Sequence, residues 1–269
     1  MVIPKPLCQC RICREARKKG APYARAGPAA FLHDINLLVD TPSEVSCLLN
    51  RSRIRHIDYL TFTHLDPDHI EGFRVVEQIT LDFRTWHTYP DKQICLLLPE
   101  ELSHRLPQVR SQYGPLVDAY ESRGFIRLET FGSSLQVGPV SIHAIPVDRG
   151  EQTTFVYVFV KAGRRIVYAP CDLKPFPAHR PEVRSPDLLV IQPGMFESGL
   201  KHGFRYPPDH SSRTTLYTFE ETLELATMIE AKKVLFVHLE EYWNRSYDDY
   251  RKMESAYISF AYDGMTIDV

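Results

Sequence analysis

The chain has 269 residues, 43% of them hydrophobic and 25% charged. That balance excludes a disordered tail protein, a collagen-like repeat and a disulfide-packed miniprotein, and the length suits one large α/β domain or two small ones. With 32 basic against 34 acidic residues the formal net charge is −2, so no global positive field marks nucleic acid as the main partner.

From the N-terminus, residues 1–20 are polar and basic and carry no secretory apolar stretch. Nowhere does the chain reach the roughly 20 apolar residues in a row that cross a bilayer, so a cytoplasmic protein without a membrane partner is expected. Cys8, Cys10 and Cys13 crowd into six positions, while Cys47, Cys95 and Cys171 are scattered. In a reducing compartment this pattern reads as thiolate ligands plus single buried cysteines.

A helix over 11–19 is only faintly signalled. Apolar strand-like runs follow at 30–32 and 35–39, the second ending at Asp40, and at 57–62, ending at Thr63 and His64. The segment 43–53 between them fits a short helix. Further strands are expected at 93–98, 126–130, 140–146, 154–160, 165–169 and 188–192, with helices over 71–79 and 108–122. The best-marked helix is 218–231, where Thr218 and Glu221 form a capping box. The run 233–237 reads as a buried strand ending at His238. The two halves look alike in layering and no linker divides them, so one domain over 1–269 is expected, with the cysteine segment 8–13 inside it.

The densest chemistry lies in Thr63-His64-Leu65-Asp66-Pro67-Asp68-His69. Four groups able to bind a metal ion sit within six residues, and imidazole and carboxylate are donors that zinc, manganese and iron accept. In an extended segment side chains at i and i+2 project together, so His64, Asp66 and Asp68 are expected to converge. Asp68 and His69 are expected to face a neighbouring centre. The competing reading is a solvated turn in which Asp66 or Asp68 caps a helix. Other strand ends weaken it, because Asp172 follows 166–169 and His238 follows 234–237.

On these residues the sequence resembles the metallo-β-lactamase fold superfamily. Thr63–His69 matches its Thr-His-x-His-x-Asp-His signature except at one position, and Asp40, Gly72, Asp172 and His238 match further family positions. The resemblance implies an α/β fold, a four-layer αββα sandwich, over nearly the whole chain. Within the superfamily the sequence is most similar to the phosphonate-pathway (phosphoribosyl) cyclic phosphodiesterases. Cys8-x-Cys10-x-x-Cys13 resembles their structural zinc cluster, and 258–265 resembles their closing strand-turn-strand.

The resemblance implies metal ligands at His64, Asp66, Asp68, His69, Asp172 and His238, one or two catalytic ions (Zn, Mn or Fe), and a structural Zn at Cys8, Cys10 and Cys13. Two departures bear on this. Asp66 stands where the family has a histidine, and Arg149 takes the register of the third-strand histidine. A guanidinium pairing with Asp66 could replace the charge of one ion. Where the relatives carry the histidine that is the fourth ligand of the cysteine site, this sequence has Glu241, so either a Cys₃Glu site forms, another histidine folds in, or the site is altered. A further family histidine falls on Leu216, with His210 upstream as a substitute or a surface residue.

Together these features imply a metal-dependent hydrolase, a phosphodiesterase acting on a small cyclic or nucleotide-like phosphodiester, with Asp68 orienting the attacking water. Arg149, Lys201 or Arg205 would hold the anion. The glycine- and proline-bearing segment 194–208 would offer Phe196, Phe204 and Tyr206 for stacking. Two alternatives remain. One is an RNA-processing nuclease of the same fold, which the charge balance disfavours. The other is a catalytically degenerate binding or cofactor-pathway member. A homodimeric state is an open expectation.

Overall fold

A computed structural model describes residues 2–149, 152–171 and 173–269. They fall into two compact units, one formed by 28–144 and the other by 1–27 with 145–269. Among the described residues no helix is long and apolar enough to cross a membrane.

The 28–144 unit is built on a five-stranded sheet. Its strands are β1 (Ala30–Leu32), β2 (Leu37–Val39), β3 (Tyr59–Thr61), β4 (Ile94–Pro99) and β5 (Ile126–Phe131), hydrogen-bonded in that order. The β1–β2 pair is antiparallel and the others are parallel. Leu37, Leu38 and Val39 are all buried, as are all six residues of β4. Such unbroken apolar runs, without alternation, mark strands covered on both faces. Beneath them an aromatic chain runs from Phe62 through Phe73 and Tyr120 to Phe125 in edge-to-face and tilted contacts.

Helices Val45–Arg51, Pro67–Ile70 and Val75–Thr80 follow the strands, the last two joined by a 3₁₀ turn at Glu71–Arg74. The helix expected over 108–122 forms only at Leu116–Ser122. Gly114 sits at φ +95 and Pro115 lacks an amide hydrogen, so the first half becomes a small hairpin pairing Arg110–Ser111 with Gly114–Pro115. The unit closes with β6 (Ser134–Val137) paired antiparallel to the start of β7 (Val140–Arg149).

Strand β7 passes into the second unit. There it is followed in hydrogen-bonded order by β8 (Gln152–Lys161), β9 (Arg164–Ala169), β10 (Leu188–Ile191), β11 (Val234–Phe236) and β12 (Ile258–Phe260). β8–β9 is antiparallel, and β9 through β12 are mutually parallel. Helix Phe219–Met228 begins at the anticipated capping box of Thr218 and Glu221, and buries Leu225, Ala226 and Ile229 against this sheet's core.

Two readings of this unit need correction. After β12 the chain makes a turn at 263–264 but no further strand. Phe196, expected to stack on a ligand, is a core residue: it is buried against Phe219, Trp243 and Tyr250, with the Arg245 guanidinium 3.9 Å from its ring centroid. Only Phe204 of the three aromatic candidates is well exposed.

Candidate metal centre

Strand β3 stops at Thr61, and the residues after it enter a hydrogen-bond network centred on Asp40. The chain bends at Asp40, whose φ is +63, and carries the carboxylate into the interior with no exposed surface. Asp40 Oδ1 accepts from the Thr63 amide at 2.7 Å; Oδ2 accepts from the Thr63 hydroxyl and from His69 Nδ1, both at 2.9 Å.

These contacts determine both imidazole tautomers. A carboxylate only accepts, so His69 carries its proton on Nδ1. The Thr63 hydroxyl gives its single proton to Asp40, so the 2.9 Å contact with His64 Nδ1 requires that nitrogen to be the donor. In their neutral forms both rings therefore present Nε2 with its lone pair, the pattern of metal-ligating histidines held by a carboxylate or hydroxyl behind them. The two ring centroids lie 4.0 Å apart and both side chains are buried.

Asp66 and Asp68 each stand beside one of these histidines. Asp66 Oδ2 lies 3.6 Å from His64 Nε2. Asp66 occupies the N-cap position of Pro67–Ile70, yet its side chain makes no capping hydrogen bond, so the reading as a mere helix cap loses its support. Asp68 lies in the first helical turn, and its ligand atom is within 4.8 Å of that of His69. The expected i, i+2 convergence holds for His64 and Asp66. It ends at Pro67, where the backbone turns helical and Asp68 becomes the neighbour of His69 instead. Imidazole nitrogens with carboxylates close by, Asp66 beside His64 and Asp68 beside His69, are donor types that suit a divalent ion of the zinc, manganese or iron type.

Gly72 explains the position of His69. Thr41 donates its amide to the His69 carbonyl at 2.7 Å, and Gly72 donates to the Thr41 carbonyl at 2.8 Å. A Cβ on Gly72 would collide with the Pro42 carbonyl oxygen, and would meet Val45 Cγ1 and the Thr41 oxygen at 2.7 and 2.8 Å. The glycine lets the helical segment lie directly on the Asp40–Pro42 backbone.

In the second unit His238 follows β11 with φ +55 and sits with Nδ1 2.9 Å from Glu240 Oε1, both side chains buried. Glu240 escaped the sequence reading; its signal is the His-x-Glu spacing just after a strand. Thr63, read only as part of a motif, turns out to set the tautomer of His64. Arg149 ends β7 and is half-buried. Asp172 lies outside the described residues. His210 caps the turn Ser211–Thr214 through Nδ1 and packs edge-on to Phe204 and Tyr206, so it is committed locally.

The cysteine cluster assembles within the same unit. Cys10 is the N-cap of helix Arg11–Lys19, and its Sγ accepts from the Cys13 amide at 3.5 Å, while Cys13 Sγ accepts from the Lys5 amide at 3.3 Å. The Cys-x-x-Cys spacing thus spans the first turn of a helix, where the dipole favours thiolates. Glu241 arrives from the other end of the chain, and the four ligand atoms of Cys8, Cys10, Cys13 and Glu241 lie within 4.8 Å of one another.

The Cys8 thiol is drawn down to about 7, first by hydrogen bonds from the backbone and side chain of Cys10 and then by Lys201. Burial pushes Cys13 up to about 12, so its thiolate needs a cation beside it. Glu241 Oε2 is buried and has no hydrogen-bond partner among the described residues. Three thiols and a carboxylate fit the four-coordinate preference of a structural zinc ion. Lys201, expected to hold an anionic substrate, is instead engaged here: its Nζ is 2.6 Å from Glu241 Oε1 and 3.3 Å from Cys8 Sγ.

Comparison with known proteins agrees with the fold these elements build. The family model described as a beta-lactamase superfamily domain matches residues 35–239. A diphosphatase of the PhnP family superposes with a TM-score of 0.73 at 20% identity, covering 100% of this chain and 93% of its own. Zn(2+)-bound PqqB from Methylobacterium extorquens gives 0.72 at 16% identity, covering 100% and 96%. The short form of human tRNase Z gives 0.59 at 14%, covering 90% and 92%. No curated protein matches the sequence at a significant level. The α/β fold expected from the sequence, with mixed sheets and helices, is the observed one.

Proposed function

The chain belongs to the beta-lactamase superfamily, as a hydrolase of the metallo-β-lactamase fold, and from that premise we propose that it is a metal-dependent phosphodiesterase acting on a small cyclic or nucleotide-like phosphodiester. The observation that carries this reading is the Asp40–Thr63 network, which presents Nε2 of both His64 and His69 as lone-pair donors beside Asp66 and Asp68. Building such a network costs a fully buried carboxylate, which a simple helix cap does not need.

In this reading His64, Asp66, Asp68 and His69 would be ligands of a divalent ion, and by the family resemblance Asp172 and His238 would be metal ligands too. Such an ion supplies an activated water at neutral pH and polarises a phosphoryl oxygen. Asp68 orients the attacking water, and Arg149 holds the substrate's phosphate by charge-assisted hydrogen bonds. Glu240, whose Oε1 lies 2.9 Å from His238 Nδ1, would orient that ring. The phosphodiester class is chosen because two fold neighbours carry names, diphosphatase and tRNase, that denote hydrolysis at phosphorus, the second at a phosphodiester.

The test is hydrolysis of bis-p-nitrophenyl phosphate by the full chain, with and without a chelator, beside the His69→Ala variant. The expected result is turnover that chelation abolishes, that zinc or manganese restores, and that His69→Ala lowers by at least about 100-fold. Turnover indifferent to chelator, or none with any added metal, overturns the reading. Cleavage of RNA in preference to small diesters would move the substrate class to a nuclease.

A further inference from the structure

Replacing a neutral ligand by Glu241 changes the charge of the cysteine centre. Three thiolates and a carboxylate bring four negative charges, and a divalent cation cancels only two. A tetrahedral site with a net charge of about −2 in a partly buried position calls for a further cation close by. Lys201 meets that need, with Nζ 2.6 Å from Glu241 Oε1 and 3.3 Å from Cys8 Sγ.

Its placement is built into the fold. Leu200, the residue before it, is anchored in the core with 3% exposure. Arg245 Nη2 donates to the Ser198 carbonyl at 3.2 Å, Asn244 Nδ2 donates to that of Gly199 at 3.4 Å, and the chain then turns at Lys201–Gly203. On the other side Arg17 donates to the carbonyls of Cys8 and Lys5 and holds the cysteine segment. The ammonium therefore meets a carboxylate whose Oε1 it holds, while the buried Oε2 lacks a hydrogen-bond partner among the described residues.

We propose that Lys201 is a positioning and charge-compensating residue of a zinc centre formed by Cys8, Cys10, Cys13 and Glu241. By holding Glu241 and offsetting one negative charge it sets the affinity of that centre for zinc, and it fastens the 194–208 segment to the N-terminal cysteines. The inference rests on reading the three cysteines as zinc ligands. It does not depend on the phosphodiesterase assignment.

The experiment uses the full-length protein loaded with cobalt, whose thiolate charge-transfer absorption reports cysteine ligation directly. The part of that absorption lost in Cys13→Ser belongs to this centre. Affinity is then read by displacing cobalt with zinc in the presence of a competing chelator. Lys201→Met, with Lys201→Gln as a second replacement should the first fold poorly, is expected to weaken binding about 10- to 100-fold. Glu241→His substitutes a neutral donor, and in that background Lys201→Met should cost less than about threefold, since the carboxylate that the lysine holds is gone and the net charge of the centre falls from about −2 to about −1.

Wild-type or tighter binding in Lys201→Met overturns the inference and makes the lysine a competitor of the cation. An equal loss in both backgrounds also overturns it, leaving Lys201 a general structural residue. Absence of any Cys13-dependent absorption in the wild type removes the zinc reading itself and leaves the phosphodiesterase test untouched.

Discussion

Asp40 receives three donors in a place water does not reach, so its removal is felt twice. Asp40→Ala leaves the Thr63 amide and His69 Nδ1 without their acceptor, and each buried orphan costs about 1–3 kcal/mol. The expected loss is about 3 kcal/mol in urea unfolding, together with a fall in metal occupancy because both tautomers are released. Asp40→Asn separates the two effects. Its amide can still accept one hydrogen bond, so stability should recover in part while metal binding stays impaired. Unchanged metal content in Asp40→Ala would show that the histidines do not depend on this carboxylate. The tautomer logic was beyond sequence reasoning, because the hydroxyl and the carboxylate come from positions 23 residues apart.

Backbone contact between elements decides where the histidines stand. The helical segment from Pro67 touches the Asp40–Pro42 turn through Gly72, with no room for a side chain. Gly72→Ala forces the two apart, and overpacking of this kind typically costs about 1–3 kcal/mol. The predicted signature is a lower thermal midpoint together with weakened metal binding, although residue 72 touches no ligand. A variant with normal metal content and normal stability would mean that the turn yields easily. The same scale explains the half-formed helix over 108–122. Periodicity pointed to a helix throughout, but Gly114 and Pro115 convert its first part into a hairpin.

Across the sheet of the second unit, Asp187 links three consecutive strands and gives the protein a pH-dependent stability. Its carboxylate accepts from the Arg165 amide at 2.8 Å, from Lys232 at 2.9 Å and from Arg164 at 3.0 Å. The Arg165 amide and then Lys232 hold it well below the usual carboxylate range, against the opposing effect of burial. A depressed native value means that this stabilisation is fully present above about pH 4, the unfolded value, and is lost as pH falls further toward the native value. Asp187→Asn should therefore cost about 2 kcal/mol at pH 7 and progressively less below pH 4, as measured by urea unfolding across that range. A pH-independent difference would assign the effect to packing instead.

Much of this protein was legible from the chain itself. Unbroken apolar runs marked the strands, the Thr218–Glu221 pair marked its helix, and the clustered donors at 63–69 and 8–13 marked both candidate centres, because each of these signals is local in sequence. What the tertiary structure alone decided were the partners brought from afar. Glu241 and Lys201 reach the N-terminal cysteines, Glu240 backs His238, and Phe196 is buried among aromatic rings rather than presented to a ligand. The reason is physical: a residue type states what a side chain can bind, while burial and chain crossing determine which of its possible partners it meets. Lys201 shows the difference, since an ammonium group suits a phosphate as well as a thiolate, and the fold placed it beside the thiolate.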